Sequence, residues 1–368
     1  MLRVFEAFAG VGSQRMALRN IGIDFEVVGI SDVDRYALLA YDAIHHNGEY
    51  VEEKTEEEML EEFRKRNIAY NFSTGKSELP KRYEDIKKLY EAHVRSKNFG
   101  DIRTIDVNEL PEIDLFTYSF PCKNISVAGK QDGFEVKSDT QSSLVWECGK
   151  IIEKAKPKYL LMENVKNIVG KNHIDNFNKW INVLNDIGYK NYYKVLNACD
   201  FNIPQNRERV IMISILDNTD FSFPSGERTN LSVNDILENH DKSFEIDKKL
   251  MEFKLDIPTT NMKKLYQVGM LNTKGNQSNR RVYSSFGYCP TLNSMNGGNR
   301  QPKILVEVNG DFVIKKLSPL ECWRVMGFTD EDFYKAKNAG LSNSKLYERA
   351  GRGIVVPMLE EIFKNLFK

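Results

Sequence analysis

The first 32 residues constrain the chain more than any other stretch. Residues 2–9 are a short apolar run leading into FAGVG. The next ten, SQRMALRNIG, have helical spacing and close on Gly22, and FEVVGISD is a second apolar run that closes on an acid, Asp32. Strand, glycine turn, helix and strand make a βαβ opening, and the parallel pairing it needs commits the rest of the domain to a layered α/β architecture. Further apolar runs at IDLFTY, KYLLMEN, YYKVLNA and RVIMISI alternate with helical stretches such as SLVWECGKIIEKAK and NFNKWINVLNDIG, which predicts a parallel α/β sheet. Residues 51–98 read as a Lys/Glu-rich, weakly apolar insert, helical and peripheral. After Ile215 the alternation dissolves into mixed text up to about Val313, and LSPLECWRVMGF onward returns to helical, apolar text.

Length and composition decide the class. At 368 residues and 41% hydrophobic, the chain has material for one large domain and a smaller one. Its five cysteines, Cys122, Cys148, Cys199, Cys289 and Cys322, are widely spaced with no CxxC pair, which argues against a disulfide framework or a metal site and for a reducing compartment. No apolar run reaches about 18 residues and no basic leader precedes one, so a soluble protein that stays inside the cell, away from membranes, is expected. The formal net charge of +0 speaks against a nucleic-acid partner. Its distribution speaks for one: Thr259 to Lys303 holds Lys263, Lys264, Lys274, Arg280, Arg281, Arg300 and Lys303 and no acid. A solvated loop is the bland alternative; the Gly, Asn, Ser and Tyr between the charges suit phosphate and base-edge contacts.

Two groups of residues carry chemistry. Glycines after the first strand let a backbone approach a ligand, and an acid ending the second strand can hydrogen-bond a ribose hydroxyl. The dinucleotide fingerprint needs a third glycine where this chain has Arg15, so a nucleoside without phosphates, such as S-adenosylmethionine, is favoured over a pyrophosphate. The second group begins at SFPCKNISVAGKQDGF, where Cys122 follows the IDLFTY run and sits where ligands bind in an open α/β sheet. KYLLMENV places Glu163 at the end of a neighbouring run, and QNRERV puts Gln205, Arg207 and Arg209 at alternate positions that a continuous strand turns to one side. Each alone has a structural reading as a cap, an ion-pair partner or a polar strand edge.

Together, and in this order, the chain resembles the DNA (cytosine-5) methyltransferases, from FEAFAGVG through SFPC, ENV and QNRER to RVYSSFGYCPTLNSMNGG and GRGIVVPMLEEI. The resemblance implies a Rossmann-like S-adenosylmethionine-dependent methyltransferase sheet with a smaller, irregular target-recognition domain. The implied boundaries are a catalytic domain over 1–215 including the 51–98 insert, a recognition domain over 216–315, and a segment over 316–368 returning to the catalytic domain. By resemblance, Cys122 attacks C6 of a cytosine flipped out of duplex DNA, Glu163 holds N3, Arg209 reaches O2, and Arg207 and Gln205 support the site and its phosphates. The loop after Cys122 resembles a lid, with Ser126 and Lys130 near the DNA. Phe8, Gly10, Gly12, Asp32, Val33, Asp101, Ile102, Pro121 and Leu144 correspond to positions around the methyl donor. Lys263, Arg280, Arg281 and Arg300 are candidate DNA contacts.

One departure stands out. GRGIVV carries Arg352 where the family has Asn in the donor pocket, and a guanidinium there could pair with a carboxylate and favour a carboxymethyl-type sulfonium donor; the alternative is that Arg352 swings to solvent. Other readings remain: an RNA cytosine-5 methyltransferase, a DNA-binding regulator without turnover, and a nicotinamide dehydrogenase, the last disfavoured by Arg15. A monomer is expected because one chain supplies every motif. A cognate restriction endonuclease acting on the same site, in the cytoplasm of a bacterial or phage-infected cell, is the implied companion.

Overall fold

A computed structural model describes residues 1–71, 74–121, 125, 141–217, 219–253, 256–295, 297 and 299–367. The chain divides into two compact units, the first made of Met1–Leu196, Arg209–Phe223 and Ile362–Lys368, the second of Asn197–Glu208 and Pro224–Glu361.

The first unit is the α/β layer. Its strands are β1 (Leu2–Ala7), β2 (Phe25–Ser31), β5 (Leu115–Tyr118), β6 (Tyr159–Val165), β7 (Lys190–Asn197) and β9 (Glu208–Ile215), in the order β2-β1-β5-β6-β9-β7. Helices α1 (Ser13–Asn20), α2 (Arg35–His45), α5 (Val145–Ala155) and α6 (Ile174–Ile187) fall between them in sequence. β1, β2, β5 and β6 pair in parallel, as the βαβ reading requires. The expectation of a fully parallel sheet needs correction: β9 runs antiparallel to β6. Connection length explains this. Between β7 and β9 lie a 3-10 turn, Ala198–Asp200, and the two-residue β8 (Gln205–Asn206), not the helix that a parallel crossover needs.

The core of this unit is aromatic, with Phe5, Phe116, Tyr118, Phe177 and Trp180 buried together. Tyr118 satisfies the indole by accepting from Trp180 Nε1 at 3.1 Å. The insert is helical as expected. α3 (Glu56–Lys65) opens on a Thr55/Glu58 capping box, a hairpin pairs β3 (Tyr70–Asn71) with β4 (Lys76–Ser77), and α4 (Tyr83–Arg95) packs on α2 and α3. It also buries Met59, Phe63, Ile86 and Leu89, so it belongs to the core of the unit more than its charged text suggests.

The second unit holds a six-stranded sheet in the order β10-β16-β15-β13-β12-β11, from β10 (Glu245–Ile246), β11 (Met251–Phe253), β12 (Gln267–Leu271), β13 (Arg281–Ser284), β15 (Lys303–Val308) and β16 (Asp311–Lys316). A two-residue ladder joins β14 (Cys289–Pro290) to β8. Short α7 (Gln277–Arg280) precedes β13, and α8 (Pro319–Arg324), α9 (Asp330–Asn338), α10 (Asn343–Arg352) and α11 (Val356–Leu366) follow the sheet, matching the helical reading of the C-terminal text. The domain boundaries differ from those expected. Residues 316–361 cluster with the second unit and only Ile362–Lys368 with the first, while Asn197–Glu208 also joins the second. Buried hydrogen bonds from Gln205 and Arg207 to Leu292, Val325, Gly351 and Gly353 tie the Asn197–Glu208 stretch into that unit. Among the described residues no helix is long and apolar enough to cross a membrane.

Candidate active site

Register brings the chemistry of the first unit to one edge. Ala7 ends β1 opposite Tyr118, which ends β5 opposite Met162, one residue before Glu163. The turn after β1, the Pro121 segment after β5 and Glu163 on β6 therefore leave the sheet side by side at its carboxyl edge, where open α/β sheets bind ligands. β9 arrives from the other direction, so its first residues lie at the same edge, with Arg209 opposite Val165 and Ile211 opposite Glu163.

The turn after β1 has an unusual backbone. Phe8, Gly10 and Gly12 all take left-handed φ values, 57°, 60° and 77°, a cost for Phe8 of the kind that gathers at functional sites. Asp32, just past β2, accepts from Gly10 N at 2.9 Å and from Asp34 N at 2.8 Å. Its own backbone is clamped by Asn98, which accepts from Asp32 N and donates to Asp32 O, both at 3.0 Å. Sequence reading passed over Asn98; its place in NFGDI, next to an assigned motif, was the available signal. A Cβ on Gly10 would meet nothing within 4 Å, so open space adjoins the turn there. The Asp32 carboxylate borders that side of the turn through its bond to Gly10 N.

The other donor-site candidates vary in access. Val33, Pro121 and Leu144 are partly exposed, and Ile102 is buried. Asp101 caps the 3-10 turn Ile102–Thr104, accepting from Arg103 N at 3.1 Å, from Asn67 Nδ2 at 2.9 Å and from the Arg103 guanidinium at 2.7 Å. Its carboxylate therefore shapes this segment from within.

Cys122, Ser126 and Lys130 lie outside the described residues. The backbone leading to Cys122 is held on two sides: Asn164 Nδ2 donates to Phe120 O at 3.2 Å and Ser142 Oγ to Pro121 O at 2.8 Å. Next to it Glu163 and Arg209 form an ion pair, Nε to Oε1 3.0 Å, with side chains only 11% and 13% exposed. Antiparallel register makes them diagonal neighbours on one face of the sheet. A carboxylate and a guanidinium, both nearly desolvated at a strand edge, can address the donor and acceptor edge of a planar ring.

Gln205, Arg207 and Arg209 do not share one face, as a continuous strand would have made them. The ladder breaks at Arg207. Within the second unit Gln205 is fully buried, donating to Val325 O at 2.6 Å and accepting from Leu292 N at 3.0 Å. Arg207, 3% exposed, donates to the carbonyls of Leu292 (2.8 Å), Gly351 (3.2 Å) and Gly353 (2.9 Å). Gln205 ties the Leu292 segment to the end of α8, and Arg207 ties it to the GRG turn. Their expected support of DNA phosphates gives way to this buried role, because a guanidinium spent on carbonyls is not presented to an anion.

Arg352 is at the end of α10. Its side chain is 49% exposed and pairs with Glu348 at 2.5 Å, one turn back; Glu348 also meets Lys345 and Arg349. The guanidinium thus pairs with a carboxylate of its own helix while about half of the side chain stays open to solvent. In the basic segment, Lys263 and Arg300 are exposed, Arg281 is partly exposed, and Arg280 donates to Leu271 O at 2.9 Å. Lys303 leaves the patch: it is 1% exposed, bonds Asn299 O, and is pushed down to about 8 by burial first and then by Lys316 directly across the ladder. No cluster of metal-ligating side chains occurs among the described residues.

The solved structure of the Dnmt2 methyltransferase of S. pombe superimposes on the whole chain, covering 98% of its own, with a TM-score of 0.65 at 16% identity. The two chains thus share a fold. Residues 76–368 match the description "C-5 cytosine-specific DNA methylase". The type II methyltransferase M2.ScrFI of Lactococcus lactis subsp. cremoris is 44% identical, over 100% of this chain and 99% of its own. The orphan methyltransferase M.SssI of Spiroplasma monobiae is 32% identical, over 99% and 97%. The chain belongs to the C-5 cytosine-specific DNA methylase family and is a DNA (cytosine-5) methyltransferase.

Proposed function

We propose that the protein methylates C5 of a cytosine at a specific site in duplex DNA through a covalent Cys122 adduct, with S-adenosylmethionine as donor. The observation that carries this is the Glu163–Arg209 pair at the edge where β1 and β5 also end. C5 of cytosine is a poor nucleophile. Bond formation between the Cys122 sulfur and C6 pushes negative charge towards N3 and O2; Glu163, carrying a proton, gives it to N3 while the Arg209 guanidinium donates to O2, which leaves C5 an enamine-like carbon. S-adenosylmethionine, when bound, supplies the electrophilic methyl group. Removal of the C5 proton and rupture of the sulfur–C6 bond then restore the aromatic ring. Phe8, Gly10 and Asp32 would line the donor's site. Stacked bases hide C6, so the target cytosine is flipped out of the helix.

Site choice falls to the second unit, with Lys263, Arg281 and Arg300 among the accessible cations for DNA. The monomer is the acting species, since one chain carries every motif. A cognate endonuclease is the companion suggested by the type II relative, and the cytoplasm of a bacterial or phage-infected cell the place. Donor selection by Arg352 draws no support from the geometry, because Glu348 holds the guanidinium. The test is a duplex carrying 5-fluorodeoxycytidine, from which no C5 proton can leave. An adduct that survives denaturing electrophoresis is expected with the wild type and absent in Cys122→Ser; an adduct in both would refute the covalent role.

A further inference from the structure

Gly10 and Gly12 share left-handed backbone, yet their surroundings are opposite. Gly10 faces open space, whereas a Cβ on Gly12 would collide with His45 Nε2 and sit 2.8 Å from Tyr41 Cε2. The turn has an open front and a packed back, and the back is His45. A carbonyl only accepts, so the 2.9 Å contact between His45 Nε2 and Val11 O makes Nε2–H the donor.

His45 is itself held. Its ring lies 4.6 Å from that of Tyr41, and Arg15 Nη2 donates to His45 O at 3.2 Å. Tyr41 OH donates to Glu6 Oε2 at 2.6 Å, and Glu6 Oε1 accepts from Arg15 N at 3.0 Å. That last bond satisfies one of the orphan N–H groups of α1, whose N-cap, Gly12, has no side chain to do so. The end of β1, the start of α1 and the end of α2 thus close a ring around residues 8–12. Desolvation, then the Arg15 charge, keeps the imidazole well below its ordinary value.

We propose that His45 is a positioning residue for the methyl donor: its Nε2–H fixes the Val11 carbonyl and its ring backs Gly12, holding the Gly10 side of the turn open. The inference rests on the reading that this turn carries the donor. Two variants separate the hydrogen bond from mere bulk. His45→Leu keeps volume and loses the donor; His45→Gln keeps an N–H that can reach Val11. Steady-state kinetics with S-adenosylmethionine and duplex DNA are measured with melting curves. In His45→Leu the KM for S-adenosylmethionine is expected to rise about five- to tenfold, the loss of roughly one hydrogen bond. The kcat stays within about twofold and the KM for DNA is unchanged, and His45→Gln recovers most of the loss. If His45→Leu does not fold, His45→Asn, too short to reach Val11, replaces it. An unchanged donor KM, equal impairment in Leu and Gln, or a parallel change in kcat and both KM values would overturn the proposal. Wild-type turnover separates the failures: turnover insensitive to residue 45 removes the inference alone, and no turnover removes the functional reading with it.

Discussion

Removing one member of the Glu163–Arg209 pair should cost the protein stability that removing both does not. The Nε–Oε1 distance is 3.0 Å and the side chains are 13% and 11% exposed for Arg209 and Glu163, so either charge left alone is nearly desolvated. Breaking a fully buried pair costs about 3–5 kcal/mol; the residual water access here brings the expectation to about 2–3 kcal/mol for Arg209→Met or Glu163→Gln. With both replaced no orphan charge remains, and the double variant should lie within about 1 kcal/mol of wild type. The cycle then yields a coupling of about 2 kcal/mol or more, read by urea denaturation followed by circular dichroism. All three variants should lose methylation, so stability and activity part company in the double variant. Single variants that lose less than about 0.5 kcal/mol and simply add would refute the reasoning, because that is the behaviour of a solvated pair.

Burial and backbone set three further outcomes. Gly12→Ala should lower stability by more than about 2 kcal/mol and Gly10→Ala by about 1 kcal/mol, since both need left-handed φ but only Gly12 lacks space; equal melting temperatures would contradict this. Lys303, held down to about 8, binds its proton more weakly folded than unfolded, so its contribution to stability should rise as pH climbs from about 8 towards 10.5. The difference between wild type and Lys303→Met over that window, by denaturant titration, reports it; a flat difference would disprove it. Burial pushes up the thiols of Cys148, Cys199, Cys289 and Cys322. A thiol-disulfide reagent should therefore find one fast thiol in the native wild type and none in Cys122→Ser.

The α/β layer was legible because its signals are local: apolar runs, glycines at a strand end and an acid at the next. The direction of β9 was not, since buried parallel and antiparallel strands read alike in apolar text and only the helix-free link after β7 distinguishes them. Glu163 and Arg209 could be found as polar interruptions at strand ends. Arg207 misled because alternation presumes an unbroken strand, and the chain breaks at that residue to send the guanidinium to three distant carbonyls. Lys303 read as one more patch cation, although it opens the apolar run KILVEV, whose start lies inside the sheet. His45 had no signal beyond its i, i+4 spacing from Tyr41; its role comes from Val11 and Gly12, more than thirty residues away in sequence.

The most direct test of the central claim is to incubate the protein with mixed-sequence duplex DNA and S-adenosylmethionine, digest to nucleosides and weigh the deoxycytidine product, with transfer RNA as a parallel substrate. The account predicts a gain of one methyl group on deoxycytidine in the duplex, lost in Cys122→Ser. Unmodified deoxycytidine, or methyl transfer confined to the RNA, would contradict it.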